Sequence, residues 1–467
     1  MRNFRVIEAF GLRRRTIKNL SGDSTDKRWY LLSAILLLAG ILLHQPLLIV
    51  VGVLLLLILS ITAIWAFYCL DNLRYQRLFG EQRVLFGEEV TLSLSIENAK
   101  LLPLPWLEVE DTIPRALTIK GQKLQSGLRS DIVSLECLFS TRWYERVTRR
   151  YVIQCNARGI HTFGPTKLRS SDVFGFVSRE MELSNRQYLL VYPLVAPLYS
   201  FGLPARHPFG DRKAPQRLLE DPSRVVGVRD YTYGDNLRRV NWKATARTMK
   251  LQSKVYESTT THTLVLFLNI VSQLDIHYGI RPDLQELSIC SAASVADWAL
   301  DEGYAVGLYT NTLMFLPDED VTTEQLEEGR RGGSVPSLLQ RSRIRLPAAS
   351  NEDQRKRIME ILARIQSFFG SSIEDVLQTE HTRLPNGTTV VIITSTISEQ
   401  LIDTLRRIRQ NGHSATILFV GDAPPPIKPT GIAIYHLGGE TTWKTLVAAY
   451  SKTSDKQIQT VIPGFKL

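Results

Sequence analysis

The segment from Val228 to Arg247, called the charged segment below, is the most unusual stretch of this 467-residue chain. Arginines alternate there with aspartates, and aromatic residues lie between them. The residues that we select for an interaction or structural role are Arg229, Tyr231, Gly234, Asp235, Arg239, Trp242 and Arg247. Opposite charges so close in sequence can form a lattice of ion pairs, and Asp235 and Arg239 have the i, i+4 spacing of a helical pair.

The local pattern also predicts a short helix within the charged segment. Asp235 is expected to cap a helix that begins near Leu237, because aspartate is a favoured N-cap residue. Val240, Trp242 and Ala246 then predict an apolar stripe along that helix.

Three interpretations of the charged segment remain open. The arginines could tie a linker to the next domain through carboxylates and carbonyls, and the mixture of charges favours such a structural clamp. The segment could instead dock an acidic protein or a phosphate-bearing ligand. Binding to nucleic acid is disfavoured, because the five acidic residues among positions 206–254 would repel phosphates.

Recognisable catalytic motifs are absent from the sequence. It contains no Walker A motif, no G-x-G-x-x-G after a predicted strand, no H-E-x-x-H and no G-x-S-x-G. The eight histidines have no metal-ligand spacing, and His161 is expected in a turn. The four cysteines form no C-x-x-C pair and are expected to be buried free thiols. The sequence therefore predicts no catalytic residues and no cofactor.

The net charge of +10 is concentrated in two places. Residues 1–28 carry eight basic and three acidic side chains, and residues 206–254 carry twelve and five. The first cluster precedes two apolar runs within residues 29–70, which are separated by a short break at Pro46. Runs of this length predict a transmembrane helical hairpin. A cleaved signal peptide with one span, or a buried hairpin in a soluble core, are the alternatives.

The distribution of Lys and Arg predicts the orientation of this hairpin. Basic residues precede the first run, none lies in the turn, and Arg74, Arg77 and Arg83 follow the second run. By the positive-inside rule, we expect both ends of the hairpin and both chain termini in the cytoplasm. The sequence thus predicts a multi-pass protein of the plasma membrane.

Three further regions follow the hairpin. Residues 83–200 alternate apolar and polar side chains in short runs punctuated by Pro and Gly, which predicts a small antiparallel β-sandwich. Residues 201–258, which include the charged segment, are expected to link it to a C-terminal module at 259–467. In that module apolar runs alternate with amphipathic helices, as in a doubly wound, mostly parallel sheet. The polar stretch Pro317–Ser350 is expected to be an irregular loop.

Several individual elements are predicted within these modules. The strands expected in the sandwich are Val90–Ile96, Trp106–Val109, Ile132–Ser140, Arg149–Asn156 and Leu189–Tyr192. The strands expected in the C-terminal module are Thr263–Ile270, Tyr304–Tyr309, Thr388–Thr394, Ala415–Val420 and Ile432–His436. The helices expected there are Pro282–Glu302, Arg355–Phe368, Glu399–Gln410 and Thr441–Tyr450.

The charged segment resembles the signature of the bacterial domain-of-unknown-function family number fifty-eight. That signature reads roughly R-[ED]-Y-x-x-G-D-x-x-R-x-I-x-W-x-x-[ST]-A-R. The matching residues are Arg229, Asp230, Tyr231, Gly234, Asp235, Arg238, Val240, Trp242, Thr245, Ala246 and Arg247. Residues 158–165 and 172–176 resemble the family segments R-G-x-y-x-x-G-P and D-P-F-G-L, with Val173 in place of the usual proline.

The resemblance implies a von Willebrand factor A-like domain at residues 259–467. Such domains often bind a hard cation through D-x-S-x-S just after the first strand. Here Asn269 replaces the aspartate, Val271 and Gln273 replace the two serines, and Ser272 is out of register. We therefore expect no metal ion at this degenerate window.

The resemblance also implies a membrane-anchored protein that is associated with a MoxR-type AAA+ ATPase. We expect a cytoplasmic scaffold or adaptor on the inner face of a bacterial plasma membrane, which binds this ATPase and a client protein. The chain has no ATP site of its own, so the ATPase would supply the energy. The alternative is a cell-envelope enzyme with a site between the β and α/β modules.

Overall fold

The computed structural model describes residues 16–18, 25–121, 125–126, 132–171, 178–204, 209, 220–233, 235–258, 262–271, 281–313, 343–366, 372–385, 387–427 and 429–453. The chain forms two compact units, one of Met1–Pro193 with Ala449–Leu467 and one of Leu194–Ala448. The first unit contains two apolar helices and antiparallel sheets. The second contains the charged segment and a mixed, mostly parallel sheet.

The two apolar helices, α1 (Thr25–Leu42) and α2 (Pro46–Tyr68), pack against each other as a helical hairpin. They approach closely at Gly52, where an added Cβ would lie 2.8 Å from the Leu37 side chain. The Ser33 hydroxyl donates to the Gly52 carbonyl at 3.2 Å, so a polar group in this interface has a partner. Most of the large side chains on both helices are exposed.

Only α2 reaches the usual length of a membrane-spanning helix. Within the described residues, Pro46–Trp65 is the one stretch long and apolar enough, and 17% of its most apolar window is buried. The apolar part of α1, Arg28–Leu42, is shorter, and at 1.5 Å per residue it rises about 22 Å. The hydrocarbon layer is about 30 Å thick. The sequence prediction is therefore supported for one membrane-spanning helix and not confirmed for a second.

The junction between α2 and the strands that follow it has no linker. Cys69 and Leu70 come directly after α2 and are already buried in the hydrophobic core of the sheets. The Lys100 ammonium donates to the carbonyls of Cys69 and Asp71 at 2.6 and 2.7 Å. A cation at this position satisfies carbonyls that the end of a helix leaves without partners.

The first unit contains thirteen described strands, which are β1 (Thr16–Lys18), β2 (Leu73–Phe79), β3 (Arg83–Val84), β4 (Glu89–Asn98), β5 (Leu104–Pro114), β6 (Thr118–Ile119), β7 (Gln125–Ser126), β8 (Ile132–Thr141), β9 (Arg146–Gln154), β10 (Gly159–Phe163), β11 (Thr166–Ser171), β12 (Ser178–Leu183) and β13 (Gln187–Val191).

Two antiparallel sheets of this unit share one core. One has the order β1-β12-β11-β5-β8-β7 and the other the order β2-β4-β9-β6. Leu92 and Leu94 of β4 and Leu107 and Val109 of β5 are fully buried in a single hydrophobic cluster. Alternate residues along each strand thus pack between the sheets, as in a sandwich. A third sheet, β10-β13-β3, is parallel between β13 and β3.

The five strands predicted for this module overlap β4, β5, β8, β9 and β13. The prediction for His161 is wrong, because this residue lies on β10 and is 7% exposed. Its Nε2 is 2.8 Å from the Ala157 carbonyl oxygen, and burial lowers the pKa of the ring. The four cysteines are free and buried, as expected.

The strands described in the second unit are β14 (Glu220–Asp230), β15 (Gln252–Ser258), β16 (Thr263–Leu268), β17 (Ala305–Leu313), β18 (Arg343–Ala349), β19 (Thr389–Thr394), β20 (Ser414–Phe419) and β21 (Ala433–His436). The helices that begin in this unit are α3 (Trp242–Thr248), α4 (Pro282–Asp301), α5 (Glu352–Arg364), α6 (Ile373–Glu380), α7 (Glu399–Gln410) and α8 (Glu440–Thr453).

Six of these strands form one sheet in the order β18-β17-β16-β19-β20-β21. All neighbours are parallel except β17 and β18, which are antiparallel. Five of the six residues of β16 and five of the six residues of β19 are buried, as is usual for a central strand covered on both faces. The strands and helices predicted from sequence all overlap observed elements, including α7 at its predicted bounds.

Two elements within residues 259–467 were not predicted. Strand β18 lies inside the stretch Pro317–Ser350, which was expected to be a loop, so that expectation is wrong for Arg343–Ala349. Ile344 is buried and Arg345 beside it is exposed, which is a weak period-two signal. Helix α6 buries Ile373, Val376 and Leu377 with helical spacing.

Candidate functional site

The charged segment is mounted on a two-stranded antiparallel ribbon of β14 and β15. Two backbone hydrogen bonds close the connection between these strands. The Tyr231 N–H donates to the Leu251 carbonyl at 2.9 Å, and the Asn241 N–H donates to the Gln252 carbonyl at 2.8 Å. Val240 is 3% exposed and forms a β-bridge to β15. The segment is thus a braced loop and not an extended linker.

Arg229 and Asp235 form an ion pair at the base of this loop, with Arg229 Nη2 2.6 Å from Asp235 Oδ1. The other carboxylate oxygen accepts from the Thr232 N–H at 3.1 Å, and the Tyr231 hydroxyl donates to the Asp235 carbonyl at 3.0 Å. Hydrogen bonds from Arg229 and Thr232 hold the pKa of Asp235 at about 2. At neutral pH this carboxylate is therefore ionised and already paired. The ion pair that the structure shows for Asp235 is thus with Arg229, six positions earlier, where the sequence suggested the helical i, i+4 spacing.

The predicted cap of the short helix is also wrong. The chain makes two separate turns, a 3₁₀ turn at Leu237–Arg239 and helix α3. The Asn236 side chain caps the first turn and the Asn241 side chain caps the second. Val240 has an extended backbone and ends the 3₁₀ turn, and Asn241, which is also extended, starts helix α3.

The predicted apolar stripe does not exist, because only Val240 of its three residues is buried. Trp242 is 68% exposed and Ala246 is exposed as well. Other large apolar side chains of the loop are equally open to solvent, with Tyr233 and Met249 at 106% and 89% exposure. We call the five exposed residues the signature surface: Tyr233, Leu237, Trp242, Met249 and Leu251. All five lie within the one loop between β14 and β15, and exposed apolar groups that cluster on a surface are typical of interaction sites.

Cations flank the signature surface. Arg238, Lys243, Arg247 and Lys250 are exposed, and their side chains form no ion pair within the part of the chain that the structure describes. Arg239 is half-buried. Of the seven residues selected from sequence, six lie in this braced loop or at its base, and Gly234 lies outside the described residues.

The degenerate metal window follows β16. Asn269 is 4% exposed, and its Oδ1 accepts from Asn311 Nδ2 at 2.8 Å and from the Val271 N–H at 3.1 Å. Its Nδ2 donates to the Thr394 hydroxyl at 3.0 Å. A hard cation needs several oxygen ligands, usually with carboxylates among them. The one amide oxygen at this position is used by two donors, so the residues present do not fit a metal ion.

This amide and hydroxyl network ties several elements together at the ends of the parallel strands. The Ile270 N–H donates to Asn311 Oδ1 at 3.1 Å, and Gln285 of α4 donates to the Ile270 carbonyl at 3.0 Å. The Ser395 hydroxyl, just after β19, donates to the Val271 carbonyl at 3.0 Å. Among the described residues, no group of three or more His, Cys, Asp or Glu could hold a metal ion. Ser272 lies outside the described residues.

A buried ion pair in the sandwich was missed by the sequence analysis. The side chains of Arg77 on β2 and Asp111 on β5 are 1% and 0% exposed, and they pair through both carboxylate oxygens. The Tyr75 hydroxyl donates to Asp111 at 2.9 Å, and the Thr166 hydroxyl donates to it at 2.8 Å. Burial and the Asp111 charge raise the pKa of Tyr75, so this phenol remains a neutral donor. For Arg77, burial alone would lower the pKa, but Asp111 outweighs it and raises the pKa.

The segment Arg158–Pro165, which was noted in the sequence for its resemblance to a family segment, packs against this ion pair. Arg77 Nη1 donates to the Phe163 carbonyl at 3.2 Å, and the Gly164 N–H donates to the Thr112 carbonyl at 2.9 Å. Gly164 has a φ of +93°, and an added Cβ would overlap the Asn185 carbonyl oxygen. Only glycine fits such a position without strain. The motif is therefore architectural in this structure.

Comparison with known proteins identifies the class of the loop-bearing segment. Residues 227–327 match the model of the family described as "Protein of unknown function DUF58". This range contains the signature surface, β15, β16 and α4. The match confirms, for residues 227–327, the resemblance seen in the sequence.

A curated relative extends the similarity along the chain. The "Uncharacterized protein YeaD" of Bacillus subtilis (strain 168) is 23% identical over 245 residues. The match covers 52% of this chain and 57% of that protein, so it spans little more than half the length of the relative.

Two solved structures each resemble about a quarter of the chain. A cohesin module from a Clostridium perfringens ATCC13124 family 33 glycoside hydrolase is 10% identical, with a TM-score of 0.19, and covers 26% of this chain and 95% of the module. A beta-glucosidase from Listeria innocua is 9% identical, with a TM-score of 0.16, and covers 26% of this chain and 16% of that enzyme. TM-scores this low carry no argument about fold or function.

Proposed function

We propose that this protein is a membrane-anchored adaptor that binds a partner protein through the signature surface. The observation that carries the proposal is the set of five large apolar side chains that a braced loop holds in solvent. Soluble proteins rarely expose such groups together unless another molecule covers them. A docking role and a structural role for the charged segment are compatible. Arg229, Asp235 and Val240 brace the loop, and Trp242 remains exposed.

The membrane anchor in this proposal is the whole α1–α2 hairpin. Helix α2 is long, apolar and mostly exposed, which disfavours a role as the core helix of a soluble protein. Strand β1, before α1, pairs with β12 of the sheet whose other strands follow α2. If α2 alone crossed the bilayer, β1 and the sandwich would lie on opposite sides of it. This pairing therefore supports a return crossing by α1, with the sandwich and both termini in the cytoplasm of a bacterial cell.

Labelling with a membrane-impermeant maleimide tests this topology. We expect His44→Cys, in the hairpin turn, to be labelled from outside intact spheroplasts. Trp143→Cys, in an exposed turn of the sandwich, should be labelled only after the membrane is opened. The background is low because the four native cysteines are buried. Labelling of Trp143→Cys from outside would contradict the proposed orientation.

For the partner, we propose a MoxR-type AAA+ ATPase acting on a client complex. The resemblance of the charged segment to its family supports this choice. The strand order of the six-stranded sheet, with its antiparallel edge strand β18, supports a von Willebrand factor A-like domain in the second unit. The neutral network at Asn269 stands where such domains often hold a cation, so the proposed binding does not use a metal ion.

Capture from native membranes tests the choice of partner. Tagged full-length protein, solubilised in mild detergent, is expected to retain the MoxR-type ATPase of the same organism in a nucleotide-dependent manner. The test variant is Trp242→Ala, which should reduce capture of the ATPase. The matched control is Leu101→Ala, which changes an exposed apolar side chain on the sandwich and should leave capture unchanged. Equal recovery of the ATPase with and without the tagged protein would refute this partner.

A further inference from the structure

We infer that the signature surface recognises an acidic protein surface with an apolar pocket, and that two separate sets of side chains control the rates of binding and release. This inference rests on the proposed function, because it specifies the chemistry of the partner at the same surface. The apolar set is the signature surface itself. The charged set consists of Arg238, Lys243, Arg247 and Lys250.

The apolar set has the composition of an interface centre. Trp242 and Tyr233 are exposed aromatic side chains, and Met249 adds a flexible aliphatic group. Tryptophan and tyrosine are the residues most often found to dominate binding energy when a partner buries them. Tyr233 lies on the loop braced by the Arg229–Asp235 pair, so its backbone is held before binding. Preorganisation of this kind reduces the entropy that binding costs.

The exposed cations of the loop, Arg238, Lys243, Arg247 and Lys250, form no ion pair among the residues that the structure describes. Between residues 230 and 254 the sequence has six Lys and Arg residues and two Asp residues. Both carboxylates are engaged internally, since Asp235 pairs with Arg229 and Asp230 accepts from the Gln252 amide. The Arg229–Asp235 pair is neutral overall, and Asp230 offsets one of the six positive charges, so a partner still meets a positive field. A surface of negative charge complements it.

A protein fits this surface better than a nucleic acid. Stacking on bases would use Trp242 and Tyr233, but Leu237 and Met249 would find no apolar partner on a phosphate backbone. These aliphatic groups need an apolar pocket, which a protein provides next to its acidic rim. Lipid and a second copy of this chain are treated as outcomes of the experiment below.

Separate sets of side chains predict separate kinetic effects. Charges that steer encounter act mainly on the association rate and weaken as salt rises. Buried apolar anchors act mainly on the dissociation rate. We therefore expect Trp242→Ala to raise the dissociation rate constant about 30-fold, as for a hot spot of 2 kcal/mol. The double variant Arg238→Glu/Lys243→Glu should lower the association rate constant about tenfold at low salt.

The experiment uses full-length protein in phosphatidylcholine nanodiscs and the purified MoxR-type ATPase, with binding followed by interferometry at several salt concentrations. Leu101→Ala and Arg406→Glu are the matched apolar and charged controls, because both side chains are exposed outside the loop. Each variant should melt within a few degrees of the parent. The inference is overturned if the charge reversal leaves association and its salt dependence unchanged, or if Trp242→Ala matches Leu101→Ala.

A second measurement separates this inference from the choice of ATPase. A benzophenone amino acid at position 242 is crosslinked in native membranes, and the contacted peptide is sequenced. Contact with an acidic segment of a different protein, lost in Arg238→Glu/Lys243→Glu, supports the inference and removes the ATPase from the proposed function. A crosslink to lipid, to a second copy of this chain or to a basic segment, or no crosslink, overturns the inference.

Discussion

Replacing Arg77 with methionine is expected to lower the free energy of unfolding of the sandwich by about 3–5 kcal/mol. The variant leaves the Asp111 carboxylate in a site where its side chain is 0% exposed, with only hydroxyl donors such as Tyr75 and Thr166 to hold it. A buried charge without a counter-charge is far more costly than the loss of the pair itself. Urea denaturation of the detergent-solubilised protein, followed by near-UV circular dichroism, measures the change.

Two further variants test the cause of this loss. Arg74→Met lies on the same strand, but its side chain is 67% exposed beside Glu97, so it should cost at most about 1 kcal/mol. In Arg77→Met/Asp111→Leu both charges are removed, and much of the lost stability should return. If Arg77→Met costs no more than Arg74→Met, the pair does not have the role assigned to it.

Gly164→Ala is expected to be the second most damaging change, with a loss of about 2–6 kcal/mol in the free energy of unfolding. Two effects add at this position. The backbone has a φ of +93°, where a side chain costs about 1–3 kcal/mol. In addition, the new Cβ overlaps the Asn185 carbonyl oxygen and lies 3.3 Å from Arg77 Nη2, so backbone around the ion pair must move. Overpacking of this kind costs about 1–3 kcal/mol.

Gly159 provides a matched control within the same motif. Its φ is +131°, but an added Cβ meets no atom within 4 Å. Gly159→Ala should therefore show the conformational cost alone, and the difference between the two variants measures the overlap at Asn185. Equal losses in urea denaturation would show that the contact with Asn185 has no energetic weight.

The parallel sheet was predictable because the apolar pattern of each strand and helix lies within a short stretch of sequence. Strands β16 and β19 are continuous apolar runs, and helix α7 carries an apolar period that ends at a polar turn. The charged segment was harder to predict, since the asparagines at positions 236 and 241 split one expected helix into two turns. Capping depends on side-chain geometry that residue types alone do not determine.

The buried ion pair was out of reach of the sequence for a different reason. Arg77 and Asp111 are 34 positions apart and meet only because β2 and β5 face each other across the core. The sequence analysis counted Arg77 among the basic residues that orient the hairpin, but a buried, paired guanidinium presents no charge to a membrane surface. Arg74 and Arg83, which also follow the second apolar run, are exposed and support the cytoplasmic orientation expected for the hairpin ends.

The direct junction of α2 with the sandwich has a mechanical consequence. A flexible tether would let an anchored domain sample a wide volume and turn freely. Here Cys69 and Leu70 belong to the sandwich core, and Lys100 donates to the carbonyls of Cys69 and Asp71 just after the helix. In the proposed orientation, the sandwich therefore stands at a fixed height above the bilayer and cannot rotate independently of its anchor. Force applied to the sandwich would reach the bilayer as tilt or torque, with no slack chain to absorb it.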